Sequence, residues 1–238
     1  MARTDKKNAL TAEMYQALAD GLRSAENDRA TRAVLIHGTP TCFSAGNDLS
    51  DFLLQSPHDD SSPVWQFLQA ISTHPKPIVA AVGGPAVGIG TTMLLHCDFV
   101  YATPATRFQL PFTSLGVVPE AASSLLLPLA AGYQRAAELR LLARPFNTEK
   151  ALSAGIVTEV VPEADLLEYA MDAAKALAAL PPESVRLTKA FMKRTWAAAV
   201  AERMSDESHE FRKRLQSPEA KEAFSAFLEK RPADFSKF

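Results

Sequence analysis

Two short segments, Phe43-Ser44-Ala45-Gly46-Asn47-Asp48-Leu49 and Gly84-Pro85-Ala86-Val87-Gly88-Ile89-Gly90, each place small residues and a bend where an apolar strand gives out. Such bends expose backbone N–H groups, and Gly46 permits the conformation that turns the N–H of Asn47 into open space. Two backbone donors converging on one carbonyl oxygen stabilise the anion left when a neighbouring proton is removed, usually the largest single contribution in this kind of catalysis. That chemistry also needs a base, and Pro119-Glu120 offers one. Around it, Leu115, Val117, Val118 and Leu125 to Leu127 read as an apolar wall, which disfavours the charged carboxylate and raises its pKa toward a working range.

Each signal also has a plainer reading. Gly46 to Asp48 fits an ordinary strand-to-helix turn, with Asp48 capping a helix toward Phe52. Gly88-Ile89-Gly90 fits close packing at a helix start, and Glu120 fits a carboxylate that the helix dipole favours in a first turn opened by Pro119. Two donor turns and an acid in an apolar setting say more together than any one of them alone.

The elements that would carry these residues are α/β in pattern. Thr11 can cap a helix with apolar face Met14, Ala17, Leu18 and Leu22, leading to the buried strand Ala33 to Ile36. Ser56 to Pro63, with two Asp, three Ser and two Pro, reads as a mobile polar loop able to act as a lid, followed by a helix through Trp65, Leu68 and Ile71. Pro77 to Val82 is a second buried strand, and the small-residue turn Gly83 to Gly90 opens a helix through Met93 to His96 before strand Phe99 to Ala102. That is a βαβ arrangement. Helical patterns follow near 121–131, 133–143, 148–154, 163–180, 183–203 and 217–229, the last with a stripe of Ala220, Ala223, Phe224, Phe227 and Leu228 that needs a cover.

Composition narrows the partners. A formal charge of -2 provides no basic field for nucleic acid or anionic lipid, and no apolar stretch is long enough to span a bilayer. Cys42 and Cys97, each among apolar residues, read as buried free thiols of a reducing compartment. With no signal peptide and a C-terminal Ser-Lys-Phe that only approximates a peroxisomal address, a cytoplasmic location is expected. The histidines show no metal-ligand spacing, His96 reading as a helix-end residue, so no metal is expected. Neither a dinucleotide G-x-G-x-x-G, a P-loop nor a G-x-S-x-G elbow is present.

With both turns and Glu120 in hand, the chain resembles the crotonase superfamily, the enoyl-CoA hydratase/isomerase enzymes, over nearly its whole length. The landmarks are Lys7-Asn8-Ala9-Leu10, Phe43 to Leu49, Pro75 through Gly90, Cys97-Asp98 and Ala151 to Val157. The resemblance implies an α/β fold, a spiral of ββα units over residues 1–180 that holds the acyl-CoA site. A C-terminal helical trimerisation region would cover 181–238. It implies a homotrimer or a dimer of trimers acting on an acyl-CoA thioester, the CoA group belonging to the substrate with no separate cofactor. The oxyanion hole would be the N–H groups of Asn47 and Ile89. CoA contacts would fall on Lys7, Asn8, Ala9, Ser44, Ala45, Gly46, Asp48 and Leu49, with Phe227 and Lys230 near the C-terminus. Relatives also carry an N-terminal strand pair before the Lys7 segment, of which almost nothing precedes it here, so an exposed sheet edge is expected.

Within the superfamily the acid/base residues decide the reaction. Thr92 and Phe112 stand at both glutamate positions of the hydratase pattern, and hydration needs a carboxylate pair to place and deprotonate water. Pro111 to Gly116, Pro119-Glu120 and Ser123-Ser124 instead resemble the peroxisomal-type Δ3-Δ2-enoyl-CoA isomerases, in which one glutamate shuttles the proton. The alternatives are a nucleophilic carboxylate, as in the 4-chlorobenzoyl-CoA dehalogenase branch with aspartate at this place, another hydratase-type reaction, or a CoA-binding assembly protein without turnover.

Overall fold

The computed structural model describes residues 1–48 and 61–238. Leu49, the helix expected toward Phe52, and the polar loop as far as Asp60 lie outside the described residues.

Helix α1 (Ala12–Asn27) starts where Thr11 Oγ1 accepts the N–H of Met14 at 3.3 Å. Its buried residues are Tyr15, Ala19 and Leu22, so the inward face is rotated from the expected Met14-Ala17-Leu18-Leu22 stripe. The reason is the partner. Helix α2 (Pro63–Thr73) presents Phe67, whose ring centroid lies 5.6 Å from that of Tyr15, and this aromatic pair outweighs the aliphatic pattern.

Strands β1 (Val34–His37), β2 (Ile78–Val82), β4 (Phe99–Ala102) and β7 (Glu159–Val160) form a parallel sheet in the order β1-β2-β4-β7. Val34 aligns with Ile78, Val79 with Phe99, and Tyr101 with Glu159. All five residues of β2 are buried, as a continuous apolar run in a parallel sheet requires. β1 is the edge strand among the described residues, and the chain's amino terminus donates to His37 O at 2.8 Å beside it.

Gly83 to Gly90 is not one turn. It contains strand β3 (Pro85–Val87), flanked by Gly84 at φ 65° and Gly88 at φ 56°. β3 pairs in parallel with β5 (Arg107–Gln109), which pairs antiparallel with β6 (Phe146–Asn147), giving a second, three-stranded sheet. Helix α3 (Ile89–Thr92) and the 3-10 turn Met93–His96 then lead to β4, completing the βαβ crossover.

Seven further helices follow among the described residues: α4 (Ser123–Ala131), α5 (Tyr133–Leu141), α6 (Thr148–Ser153), α7 (Leu166–Ala179), α8 (Pro182–Arg194), α9 (Ala197–Leu215) and α10 (Pro218–Leu228). The single helix expected over 183–203 is thus two, broken at Thr195-Trp196. A β-branched and an aromatic residue in succession have low helix propensity, and alanines on the far side carried the apolar pattern across the break. On α10, Ala220, Ala223 and Phe224 of the expected stripe are buried, whereas Phe227 and Leu228 are exposed.

Helix α7 packs on one face of the parallel sheet through Leu166, Ala170 and Ala174, against Val79, Ala81 and Tyr101. The larger core joins Leu10, Phe43, Val82 and Ile89 to Met204, Phe211, Ala220 and Phe224, so residues on both sides of position 180 share one hydrophobic cluster. At the turn Thr113–Leu115, Gly116 (φ 68°) lets α10 approach so closely that a Cβ there would lie 2.7 Å from Ala220 N.

A buried ion pair pins α8 to the sheet. Lys189 Nζ donates to Asp98 Oδ2 and to Lys76 O, both at 2.6 Å, and Asp98 also accepts the N–H of Ile78 at 2.8 Å. Lys189 is 4% exposed, and burial lowers its pKa while Asp98 opposes that shift. Asp98→Asn would keep the bond to Ile78 and leave the ammonium without its counter-charge. We expect a loss of about 3 kcal/mol or more, read as a lowered urea midpoint at unchanged slope; an unchanged midpoint would show the pair to be idle.

Candidate active site

The two donor turns are packed against each other by backbone. Phe43 and Ser44 donate to Pro85 O at 3.1 and 3.0 Å, and Val87 donates to Ser44 O at 2.9 Å. On its other side the first turn is held by residues 7–10: Ala45 donates to Lys7 O, Leu10 to Gly46 O and Asp48 to Leu10 O, at 2.8–2.9 Å. Glycine is needed at two of the contacts. A Cβ on Gly46 (φ 92°) would meet Val87 O at 3.0 Å, and one on Gly90 would meet Ser44 O at 2.9 Å. Among the described residues the N–H groups of Asn47, Ile89 and Gly90 have no acceptor. An Ncap glycine at position 88 leaves the Ile89 N–H without an intrahelical partner, as at every helix start.

Glu120 does not sit in a helical first turn. Ala121 and Ala122 follow it with φ of 62° and 51°, and α4 begins only at Ser123, whose N–H donates back to Glu120 O at 3.1 Å. The left-handed pair takes Glu120 off the helix axis, and Glu120 lines a small pocket. Its apolar wall is not the expected Leu115, Val117, Val118 and Leu125 to Leu127, none of which lines it. Val64, Trp65 and Leu68 of α2 and Met204 and Phe211 of α9 do, with Ser62, Ser208 and Arg212 at polar positions. Glu120 is 7% exposed, and its Oε1 has no partner among the described residues. Burial first, then the nearby Glu207, push its carboxyl up to about 8, while Arg140 pulls the other way.

Three residues that sequence reasoning missed belong here. Tyr15, buried in α1, donates its hydroxyl to Asn47 Oδ1, and Glu120 within electrostatic reach adds to the burial that raises the phenol's pKa. Arg140 and Glu207 are buried beside Glu120. A sequence signal existed for Glu207: it interrupts the inward stripe Met204, Glu207, Phe211 of α9, where a charge is out of place.

The other expected site residues divide into two groups. Lys7 is exposed, and Asn8, Ala9, Ser44, Ala45, Gly46 and Asp48 meet around the first turn. Asn8 is spent on the fold, its Nδ2 donating to Cys42 O at 2.7 Å and its Oδ1 accepting from Arg3 N at 2.7 Å. Arg3 Nη1 also binds Ala9 O at 3.1 Å and Asp48 Oδ2 at 2.6 Å. Phe227 and Lys230 are exposed at the far end of α10. Thr92 and Phe112 are buried, and Thr92 Oγ1 lacks a partner among the described residues. His96 ends its 3-10 turn with Nε2 against Ala121 O at 2.8 Å, beside the Glu120 turn. Among the described residues no group of three or more His, Cys, Asp or Glu could hold a metal ion, and no helix is long and apolar enough to cross a membrane.

Residues 1–237 match the family described as Enoyl-CoA hydratase/isomerase. The chain is 34% identical over 236 residues to enoyl-CoA delta isomerase 2 of Rattus norvegicus, covering 97% of this chain and 60% of that protein. It therefore spans about three fifths of the length of that relative. To 2,3-dehydroadipyl-CoA hydratase of Escherichia coli (strain K12) it is 31% identical over 237 residues, covering 98% of this chain and 92% of that one. A crystal structure of an enoyl-CoA hydratase/isomerase from Pseudoalteromonas atlantica T6c superposes with a TM-score of 0.93 at 45% identity, covering 98% and 93% of the two chains. A parallel sheet with its crossover helices, two facing donor turns and this likeness along the whole length lead to one assignment: the chain belongs to the enoyl-CoA hydratase/isomerase family, of the crotonase superfamily.

Proposed function

We propose that this chain is a Δ3-Δ2-enoyl-CoA isomerase with Glu120 as its only acid/base. The observation that carries the reading is that Glu120 is the one carboxylate lining the apolar pocket among the described residues, buried and with Oε1 unpartnered, while Thr92 and Phe112 stand where a hydratase has its glutamates. Glu120 removes a proton from C2 of a 3-enoyl-CoA. The electron pair moves into the dienolate, whose negative thioester oxygen rests between the N–H groups of Asn47 and Ile89. The same carboxyl returns the proton at C4, leaving the 2-trans double bond; one group suffices because proton and site are conserved through the 1,3 shift. Lys7, Ala45, Phe227 and Lys230 are the residues proposed to meet CoA. Leu187, Phe191, Met192 and Trp196, exposed along α8 and at its end, suit the proposed homotrimer or dimer of trimers.

The test is turnover of trans-3-hexenoyl-CoA, followed through an added hydratase and 3-hydroxyacyl-CoA dehydrogenase. NAD reduction that requires the added hydratase supports an isomerase. Reduction without it would mean that the chain hydrates its own product, and none at all would remove the reading.

Tyr15→Phe keeps the ring against Phe67 and deletes only the hydroxyl bound to Asn47. Since that bond steadies one of the two donors, kcat is expected to fall about tenfold with KM nearly unchanged. An equal rise in KM instead would place Tyr15 in substrate binding.

A further inference from the structure

Behind the pocket lies a cluster that the proposed reaction does not use. Arg140 of α5 is 8% exposed, and Nε, Nη1 and Nη2 all lack partners among the described residues, as does Oε2 of Glu207, itself 6% exposed. Both are within electrostatic reach of Glu120. A buried guanidinium without an acceptor is unfavourable by several kcal/mol, on the order of a full ionic desolvation, unless carboxylates nearby compensate it. Two are present, so with all three groups ionised the cluster is -1, and with one proton on a carboxylate it is neutral.

The two carboxylates are not equivalent. Glu207 Oε1 accepts the N–H of Ser124 at 2.8 Å, capping the start of α4 where Ala122 at the Ncap has no side chain to do so. Burial raises the pKa of Glu207 as well, but its bonds to Ser124 oppose that shift and hold the turn on which Glu120 rides. Glu120 has no such donor on Oε1 among the described residues. Thr113 Oγ1 fixes the backbone at the end of α5 by donating to Arg140 O at 3.0 Å. The other titratable or charged groups at the site among the described residues are the phenol of Tyr15 from α1, Arg212 and Arg203 from α9, the latter donating to Ser124 Oγ at 3.1 Å, and His96, held against Ala121 O and kept neutral by burial, while α2 presents apolar side chains with Ser62 at its Ncap.

Building on the reading of Glu120 as the base, we propose that Arg140 and Glu207 form a buried counter-charge pair that reserves the cluster's single shared proton for Glu120. Both are positioning residues: neither lines the pocket. The arrangement keeps the proton taken from C2 on Glu120, instead of passing it to Glu207, until it is returned at C4.

The test is a carboxyl titration of the full chain labelled with 13C-glutamate, with the Glu120 resonance assigned by its loss in Glu120→Gln. Arg140→Met should move the Glu120 midpoint to higher pH and lower its ionised fraction at pH 7 about tenfold, and Arg140→Lys should restore it. Glu207→Gln, which can still accept from Ser124, should move the midpoint to lower pH. Superimposable Glu120 curves in the Met and Gln variants, or Glu207 titrating near neutrality in place of Glu120, would overturn the proposal. Should Arg140→Met fail to fold, the Glu207→Gln curve decides alone. No turnover is involved, so an inactive wild type with these shifts removes the isomerase reading and leaves the counter-charge pair standing.

Discussion

Glu120→Gln is expected to lower kcat for trans-3-hexenoyl-CoA by about a thousandfold or more while KM changes only severalfold. General acid–base participation is worth about 10²–10⁴ in rate, and here one carboxyl both removes and returns the proton, so no other residue shares the loss. The amide fills the same volume against Trp65, Leu68 and Met204, which leaves the pocket available for binding. A variant that retained a tenth of the rate would exclude Glu120 as the shuttle.

The same side chain sets two pH dependences. Because the working base is the carboxylate and burial holds its pKa at about 8, kcat/KM of the wild type should rise as pH increases through that value and level off above it. Stability should run the opposite way. The folded value lies above that of an unfolded carboxylate, so the protonated folded form is fully favoured below about pH 4.5. That advantage is lost as pH climbs to about 8, and the profile then flattens. The total is on the order of a few kcal/mol. Urea unfolding at pH 5 and pH 8.5 should show this fall in the wild type and a much smaller one in Glu120→Gln; parallel profiles would mean that Glu120 titrates alike folded and unfolded.

Gly90→Ala is the second large effect. The new Cβ would stand 2.9 Å from Ser44 O and 3.1 Å from Ser44 Cβ, and Ser44 cannot withdraw because its Oγ is tied to Asn8 O at 2.9 Å and its N–H to Pro85 O at 3.0 Å. The start of α3 must move instead, carrying the Ile89 N–H away from that of Asn47. Losing one such donor costs about 10²–10³ in kcat, so a hundredfold fall is expected. Gly21→Ala, a position on α1 with nothing within 4 Å of the added carbon, serves as the control and should leave kcat unchanged. Full activity in Gly90→Ala would show that the second turn binds no developing anion.

Several features were legible because their physics is local. The apolar run at β2, the Thr11 cap, the backbone N–H groups turned out near Gly46 and Gly88, and the acid of Pro119-Glu120 each depend on residues within a few positions of one another. The split at Thr195-Trp196 and the strand inside Gly83 to Gly90 were hidden for a related reason. Their local patterns suit a continuous helix and a turn equally well, and only the neighbours that α9 and β5 pack against decide between them. The site's environment is not local at all. Glu207 reaches Ser124 across 83 positions, and the wall around Glu120 comes from α2 and α9, not from its own segment. The sequence by itself therefore determined the donor turns and the presence of a carboxyl at position 120. Tertiary structure alone decided how far that carboxyl's pKa is raised, because desolvation and Coulomb energy depend on separation in space, which chain position does not encode.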